Sequence, residues 1–334
     1  MIAARGNLAN VYDAQGDLLS SRTTYEEILQ LSREIGNKRF EAVTIGNIAN
    51  VRAELGEVAE ALAEFGDGIN LSRQIGNKFS MLWQLATRAD WLINSGDLAA
   101  GAKDTAEVLS VARSSGENAY IALGLQLQGE IAFDKNDLSS ARQSYQEALE
   151  RYHKDGNLNA EAQVAYAIAE VLLEQGNLAE AEKFARESVS ELDKEKAQPA
   201  SLAHTMLARV RLAQSRLKEA QTEVSRARVG IRTTQNLMIS IPVQIASLRV
   251  QAQMGSPETA VQSLQNLVQD CRRYRFVAYE FQARLAQGEI QMRTEPKSGF
   301  ATLQSVANDA DARGFALVSS KAAALEKRIK SGSN

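Results

Sequence analysis

The sequence predicts an all-α solenoid of about eight helix pairs followed by a C-terminal capping helix. Three observations predict it: turn signals recur every 39 or 40 residues, small residues recur in register with them, and prolines are rare. Only four prolines interrupt 334 residues, and Ala, Leu, Glu, Gln and Arg dominate the composition. One helix pair cannot bury its apolar face alone, so a repeat of this length indicates stacked pairs with a shared core.

The period is first visible in two similar words, GNLAN at residues 6–10 and GNIAN at residues 46–50. The turn signals of the eight copies are Gly16, Gly56, Gly96, Asn136, Gly176, Ser215, Gly255 and Glu295. Seven residues before them stand Ala9, Ala49, Ala89, Gly129, Ala169, Ala208, Leu248 and Gly288, of which only Leu248 is large. Small residues also follow each signal by five positions, except at Phe300. Two helices that cross closely need Ala or Gly at the contact, so these positions predict helix–helix packing.

Each period divides into two helices. In the second copy, Val58, Ala61, Phe65 and Ile69 have the spacing of a helix with one buried face. Glycine suits the left-handed residue that ends a helix, and the Asp or Asn that often follows it is a good N-cap. Three prolines fall in first turns, and Pro242 predicts a helix that starts near Ser240. The predicted repeats are 1–37, 38–77, 78–117, 118–157, 158–196, 197–236, 237–276 and 277–314, with a capping helix at 315–330.

These features resemble the tetratricopeptide repeat (TPR) family over nearly the whole chain. The first copy carries its pattern in Leu8, Ala9, Tyr12, Gly16, Asp17 and Tyr25, and the fourth in Gly129, Asp137, Ala141, Tyr145 and Ala148. The 40-residue interval is similar to repeats of Pins-type spindle adaptors, kinesin light chains and bacterial signalling regulators. The resemblance implies a right-handed superhelix whose concave groove is lined by the first helix of each pair. Because TPR arrays host many unrelated roles, it implies protein interaction in general and no particular partner.

The residue after each small residue lies about 100° around the first helix, and the residue four further on shares that side. The resemblance implies that this stripe faces the groove. Its two rows are Asn10, Asn50, Asp90, Glu130, Glu170, Arg209, Arg249 and Glu289, and then Ala14, Glu54, Asn94, Asp134, Glu174, Ala213, Gln253 and Arg293. Asn7, Asn47, Trp83 and Tyr166 lie on the same side.

The rows are sorted by charge, with acids in the middle copies and arginines later. One interpretation is that these are only the solvated sides of helices. The other is a groove that orients an extended peptide, with its basic segment against the acids and its acidic segment against Arg209, Arg249 and Arg293. In that hypothesis Asn10 and Asn50, assisted by Asn7 and Asn47, bind peptide backbone. Trp83 and Tyr166 form apolar pockets or pack between helices, and Trp91 belongs to the core.

Several function classes are disfavoured by the sequence. The formal net charge is −3, without the basic excess of a general nucleic-acid binder, and no apolar run is long enough for a membrane helix. No phosphate-binding loop or H-E-x-x-H motif occurs, and His153 and His204 fall in different repeats, so we expect no metal, cofactor or catalysis. Cys271 is expected to be an inert thiol, and Arg272, Arg273 and Arg275 to complement a helix dipole.

We therefore expect a non-catalytic, cytoplasmic protein-interaction scaffold that binds a protein or peptide, without nucleic-acid or membrane partners. Since the first copy begins at Met1 without a cap, we expect the docking or sensory part of a longer bacterial signalling protein. Val11, Leu19 and Ile28 predict an apolar face on the terminal repeat, through which the chain could self-associate. The alternative is a structural oligomerisation module with no peptide ligand.

Overall fold

A computed structural model describes residues 2–195 and 199–332 of the chain. Within those residues the secondary structure consists of seventeen α-helices and contains no strand. The helices are α1 (Ile2–Gln15), α2 (Leu18–Glu34), α3 (Lys38–Glu54), α4 (Val58–Gln74), α5 (Lys78–Asn94), α6 (Leu98–Ser115), α7 (Asn118–Asp134), α8 (Leu138–Lys154), α9 (Leu158–Glu174), α10 (Leu178–Glu195), α11 (Ala200–Ala213), α12 (Leu217–Gly230), α13 (Leu237–Gln253), α14 (Pro257–Arg273), α15 (Val277–Thr294), α16 (Pro296–Ala312) and α17 (Ala316–Gly332).

Consecutive helices pack against each other along the whole array, and from α3 onwards each odd-numbered helix also contacts the next odd-numbered one. The predicted all-α solenoid is therefore confirmed. Seven of the eight turn signals adopt a positive φ, and the exception is Glu295 at −139°. Among the caps, the Asp17 and Asp137 carboxylates accept hydrogen bonds from the Ser20 and Ser140 amides at 3.2 and 3.0 Å.

The small residues mark the closest helix contacts. Ala9, Ala49 and Ala89 are fully buried. At Gly129, a Cβ atom would lie 2.6 Å from Cε1 of the Tyr145 ring in the paired helix. Gly129 therefore lacks a side chain at the point where the ring from the second helix of its pair packs. Between the small positions, large side chains such as Phe65 fill a continuous core.

The start of α13 differs from the prediction. The helix begins at Leu237 and not near Ser240, which places Pro242 inside it. Proline has no N–H to donate to the carbonyl four residues earlier, that of Met238. The Tyr279 hydroxyl of α15 donates to this carbonyl at 3.4 Å. A side chain from the next repeat thus satisfies the group that the proline leaves without a backbone donor.

The solenoid also closes on itself. The turn inside the first pair contacts the segment between α12 and α13: the Gln235 amide donates to the Gly16 carbonyl at 3.0 Å, and Gly16 packs on Thr234. The turn inside the second pair, at Gly56, packs on the ring of Tyr274 between α14 and α15. Both contacts join residues 218 positions apart (234 − 16 and 274 − 56), so successive repeats meet in one register. The array therefore completes a superhelical turn in fewer than six repeats.

The terminal repeat fits its prediction in part. Val11 and Leu19 are 49% and 48% exposed, and Leu8 beside them is 46% exposed. Ile28 was predicted to join this apolar surface, but it is buried, because it packs with Tyr25 and Ile48 in the core of the first two pairs.

Candidate functional site

The concave side of the closed solenoid encloses a cavity of about 590 Å³. Its wall is formed by α5, α7, α9, α11, α13 and α15, with α17 at the C-terminal end. First helices line it because the second helices pack outside them in each pair. Nine of the sixteen predicted groove residues lie in this wall: Asp90, Asn94, Glu130, Asp134, Tyr166, Glu170, Glu174, Arg209 and Arg249.

Three carboxylates of the cavity, Asp90, Glu130 and Asp134, form no ion pair with any residue that the structure describes. Burial raises the pKa of Asp90 to about 6, although a 3.0 Å hydrogen bond from the Asn94 amide opposes the shift. Burial and the nearby Glu170 raise the pKa of Asp134 to about 8. The pKa of Glu130 is raised well above its usual value by burial and then by Asp90, Asp134 and Glu170. The three carboxyl groups lie in one poorly solvated space, where their ionised forms repel each other, and a bound cation would reduce this repulsion. We name the three residues the acidic trio.

The cationic side chains in the wall are all paired. Arg209 donates a hydrogen bond of 2.5 Å to Glu170 of the preceding repeat, and Arg249 donates one to Glu289 of the following repeat. Lys321 of α17 donates to Glu174 at 2.5 Å. Two of the three arginines of the predicted charge gradient, Arg209 and Arg249, are thus paired within the protein, whereas the acidic trio has no cationic partner among the described residues.

A large part of the cavity lining is apolar, and we call it the apolar wall. Its residues come from α11, α13, α15 and α17, and they include Leu202, Leu212, Met238, Ile239, Pro242, Ile245, Leu285, Leu317 and Val318. The acidic trio and the apolar wall therefore line the same cavity. A pocket of this composition suits a ligand that carries both positive charge and apolar side chains.

The predicted residues of the first two repeats lie outside the cavity. Asn50 accepts a 3.1 Å hydrogen bond from the Trp91 indole and donates one of 3.1 Å to Glu54, so its amide is already occupied. Asn10 accepts a hydrogen bond from the Tyr25 hydroxyl. Asn7 and Asn47 do not line the cavity either. The backbone-binding role of the four asparagines stays a prediction, although the side chains of Asn10 and Asn50 already form hydrogen bonds within the protein.

Glu54 takes part in the closure of the solenoid. Burial and the neighbouring Asp13 raise the pKa of Glu54 to about 8, and Glu54 hydrogen-bonds with the Asp13 and Asn236 side chains. Two carboxyl groups in such proximity share protons and do not both ionise. Glu54 therefore belongs to the contact between successive superhelical turns and not to the cavity.

Two further predicted residues lie elsewhere. Trp83 packs against Gly46 of α3 and against the core, which is the inter-helix alternative considered for it. Arg293 is exposed and is not among the cavity residues. Trp91 is buried, as predicted.

Other cavity residues were not selected from the sequence. Gln126, Thr205, Ile245 and Leu285 lie one helical turn before the polar row, at the position that Tyr166 occupies in the fifth repeat. The signal for them was available, because a residue four positions earlier shares a helix face. Lys321 had no such signal, since α17 lies outside the repeat pattern.

Cys271 and the two histidines, which the sequence left as candidates for reactive or metal-binding groups, lie outside the cavity. Cys271 is fully buried, and burial raises the pKa of its thiol to about 12. His204 is buried between Glu223, at 2.5 Å from Nδ1, and Asp193, while His153 is exposed. Within the described parts of the chain there is no group of three or more His, Cys, Asp or Glu side chains placed to hold a metal ion. Among the described helices, none is long and apolar enough to cross a bilayer.

The fold and cavity define a class of helical-repeat proteins with an enclosed concave surface. The model of the MalT-like TPR region matches residues 87–316, and a second tetratricopeptide-repeat model matches residues 1–74. The chain belongs to the tetratricopeptide repeat family, as the residue pattern predicted. No curated protein sequence matches it.

Solved structures with the same fold have low sequence identity. A Rap protein complexed with Competence and Sporulation Factor shares 12% identity at a TM-score of 0.60, with 99% of this chain and 97% of that chain covered. The Rap conjugation gene regulator of plasmid pLS20, in complex with the Phr* peptide, shares 14% at 0.55 and covers 98% and 96%. A STAND protein with a TPR sensor from Pyrococcus horikoshii shares 12% at 0.52, covering 93% of this chain and 47% of that one.

Proposed function

We propose that this chain is a non-catalytic interaction scaffold whose cavity binds an extended peptide. The observation that carries the proposal is the acidic trio, whose carboxylates lack cationic partners in the described chain while every cation of the cavity wall is paired. A lysine or arginine of the ligand would fill that deficit. The two Rap structures hold a factor and a peptide, which supports peptide binding by a solenoid of this fold.

The cavity also sets the apolar character of the ligand. Asp90, Glu130 and Asp134 line the same cavity as the Leu, Ile and Val side chains of the apolar wall. A peptide that combines a basic residue with apolar residues matches this lining. The amides of Gln126 and Gln282, which form no hydrogen bond within the described chain, line the cavity, and we propose that they bind peptide backbone.

Fluorescence anisotropy with labelled decapeptides tests this function. One probe alternates Lys with Leu, and a second alternates Glu with Leu. We expect only the lysine probe to bind, and the triple variant D90N/E130Q/D134N to weaken it by at least about tenfold, since paired charges in a desolvated site contribute more than 1.4 kcal/mol. These changes keep the shape of the side chains, and because burial raises the pKa of Asp90 and of Asp134, we expect the fold to accept neutral amides there.

The matched control is E60Q/E150Q/D311N, which removes the same charge at exposed positions outside the cavity. Equal weakening by both triple variants would reduce the effect to net charge and refute the cavity. Binding of the glutamate probe with similar affinity would refute the recognition of basic peptides.

An oligomerisation module is the second candidate, favoured by the exposed Leu8, Val11 and Leu19 of the first repeat. Sedimentation velocity of the chain and of V11S/L19S distinguishes it. If the original chain is a dimer, V11S/L19S is a monomer and the lysine probe does not bind, the oligomerisation module is correct and the peptide proposal is wrong. In its peptide-binding form we assign the array to the ligand-sensing part of a signalling protein, in line with the TPR sensor of the STAND protein.

A further inference from the structure

A second surface lies outside the cavity, along the edge formed by the turns between the first three helix pairs. Four large apolar side chains are exposed there: Ile35, Phe40, Ile75 and Phe79, at 59, 39, 37 and 68%. Together with Lys38, Arg39 and Lys78 they form what we call the outer patch. Lys38, Arg39, Ile75, Lys78 and Phe79 line one pocket of about 360 Å³.

This edge takes no part in the closure of the solenoid. The turns at Gly16 and Gly56 pack against later repeats, whereas a Cβ atom added to Gly36 or Gly76 would meet nothing within 4 Å. The Phe79 ring contacts Tyr120 edge-on, at 5.4 Å between centroids, and otherwise remains largely exposed. Superhelical packing therefore leaves this apolar surface uncovered.

The charges of the pocket specify what covers it. Its lining contains three cations and no carboxylate. Lys38 pairs with Glu41 at 2.7 Å, but Arg39 and Lys78 form no ion pair with the described residues. Exposed cations around an aromatic residue match a segment that combines acidic and large apolar side chains.

We propose that the outer patch docks an acidic protein segment that inserts an apolar side chain beside Phe79. A protein segment fits better than a nucleic acid, because the isoleucines offer no stacking face and the chain as a whole carries a net charge of −3. This interaction is independent of the cavity, whose charge is of the opposite sign.

The test uses a fluorescein-labelled dodecapeptide with a central Leu-Phe-Leu core flanked by Asp and Glu, measured by anisotropy. We expect binding that weakens with salt, a loss of about tenfold or more in R39E/K78E, and a similar loss in F79S. The matched controls are K103E/K135E, which reverses two charges, and L158S, which replaces an apolar residue by serine, both at exposed positions away from the patch. The controls should bind like the original chain, and so should D90N/E130Q/D134N, which separates the patch from the cavity.

Three results would overturn the proposal. The first is a dodecapeptide affinity unchanged in R39E/K78E. The second is a labelled single-stranded oligonucleotide, or an anionic phosphatidylserine vesicle, that binds through the patch when the dodecapeptide does not. The third is that sedimentation detects a dimer of the original chain and a monomer of F79S, while the dodecapeptide does not bind. Circular dichroism of each variant verifies that these exposed changes leave the helices intact.

Discussion

The contact between successive superhelical turns is tested by comparing two glycine-to-alanine variants, Gly56→Ala and Gly76→Ala. Both residues have left-handed backbones, with φ of 92° and 68°. Alanine there costs roughly 1–2 kcal/mol in either case. At Gly76 a Cβ meets nothing within 4 Å, whereas at Gly56 it would lie 2.9 Å from Cγ of Tyr274 and nearer still to Cδ1. Displacing a packed ring adds about 1–3 kcal/mol. We therefore expect Gly76→Ala to lower the free energy of unfolding by about 1 kcal/mol and Gly56→Ala by about 3 kcal/mol.

Urea denaturation, followed by circular dichroism, measures both values, and small-angle scattering reports whether Gly56→Ala opens the superhelix. The variant Tyr274→Ala completes a double-mutant cycle. In its background the penalty of Gly56→Ala should fall to that of Gly76→Ala, because the clashing ring is absent. Equal penalties for the two glycines in the original chain would refute the closed arrangement.

Three further predictions concern stability. Glu54→Gln should flatten the pH dependence of the melting temperature: the folded pKa is raised from 4.5 to about 8, so the stability from the protonated carboxyl is complete below pH 4.5 and lost as the pH rises towards 8. Since a difference of one pKa unit corresponds to about 1.4 kcal/mol, we expect a loss of up to about 5 kcal/mol over that window in the original chain, and an equally steep loss in Glu54→Gln would contradict it. Gly129→Ala should lower the free energy of unfolding by about 1–3 kcal/mol, because the added methyl group meets the Tyr145 ring. Gly66→Ala, whose added Cβ would have its nearest neighbour 3.7 Å away, should raise the free energy of unfolding by about 0.5–1 kcal/mol. Urea titration measures both changes. Phe65→Ala should lower the free energy of unfolding by about 3–5 kcal/mol in the same titration, since the ring is fully buried. A loss below about 1 kcal/mol would mean that neighbouring side chains fill the space of the ring.

The fold followed from the sequence because the contacts between neighbouring repeats are local and periodic. Ala49, Ala89 and Gly129 mark the same contact in successive copies, so one period read from the residues predicts the next pair. Pro242 was misplaced because the hydroxyl that compensates for it belongs to Tyr279, in the following repeat. No rule applied to one helix alone reveals such a partner.

The site was predictable only where its geometry is local to one helix face. Glu130 and Asp134 share a face and lie together in the cavity wall. Asn10 and Asn50 occupy the same repeat position, yet the closing segment packs at their end of the stripe. That closure depends on the rotation added by each repeat, summed over 218 residues, and a small error in the rotation changes which copies meet. The pairing of Arg209 with Glu170 likewise depends on the distance between rungs.

The pH dependence of lysine-probe binding tests the central claim most directly, namely that the acidic trio in a closed solenoid binds a basic peptide. With a pKa of about 8, Asp134 is roughly 1% ionised at pH 6 and about half ionised at pH 8. If a lysine pairs with the ionised carboxylate, the affinity rises up to about 50-fold between these pH values. We predict a rise of at least about tenfold in the original chain and a clearly smaller rise in Asp134→Asn, in which only Asp90 and Glu130 of the trio still titrate. An affinity that is independent of pH, or a rise that Asp134→Asn retains in full, would contradict the account.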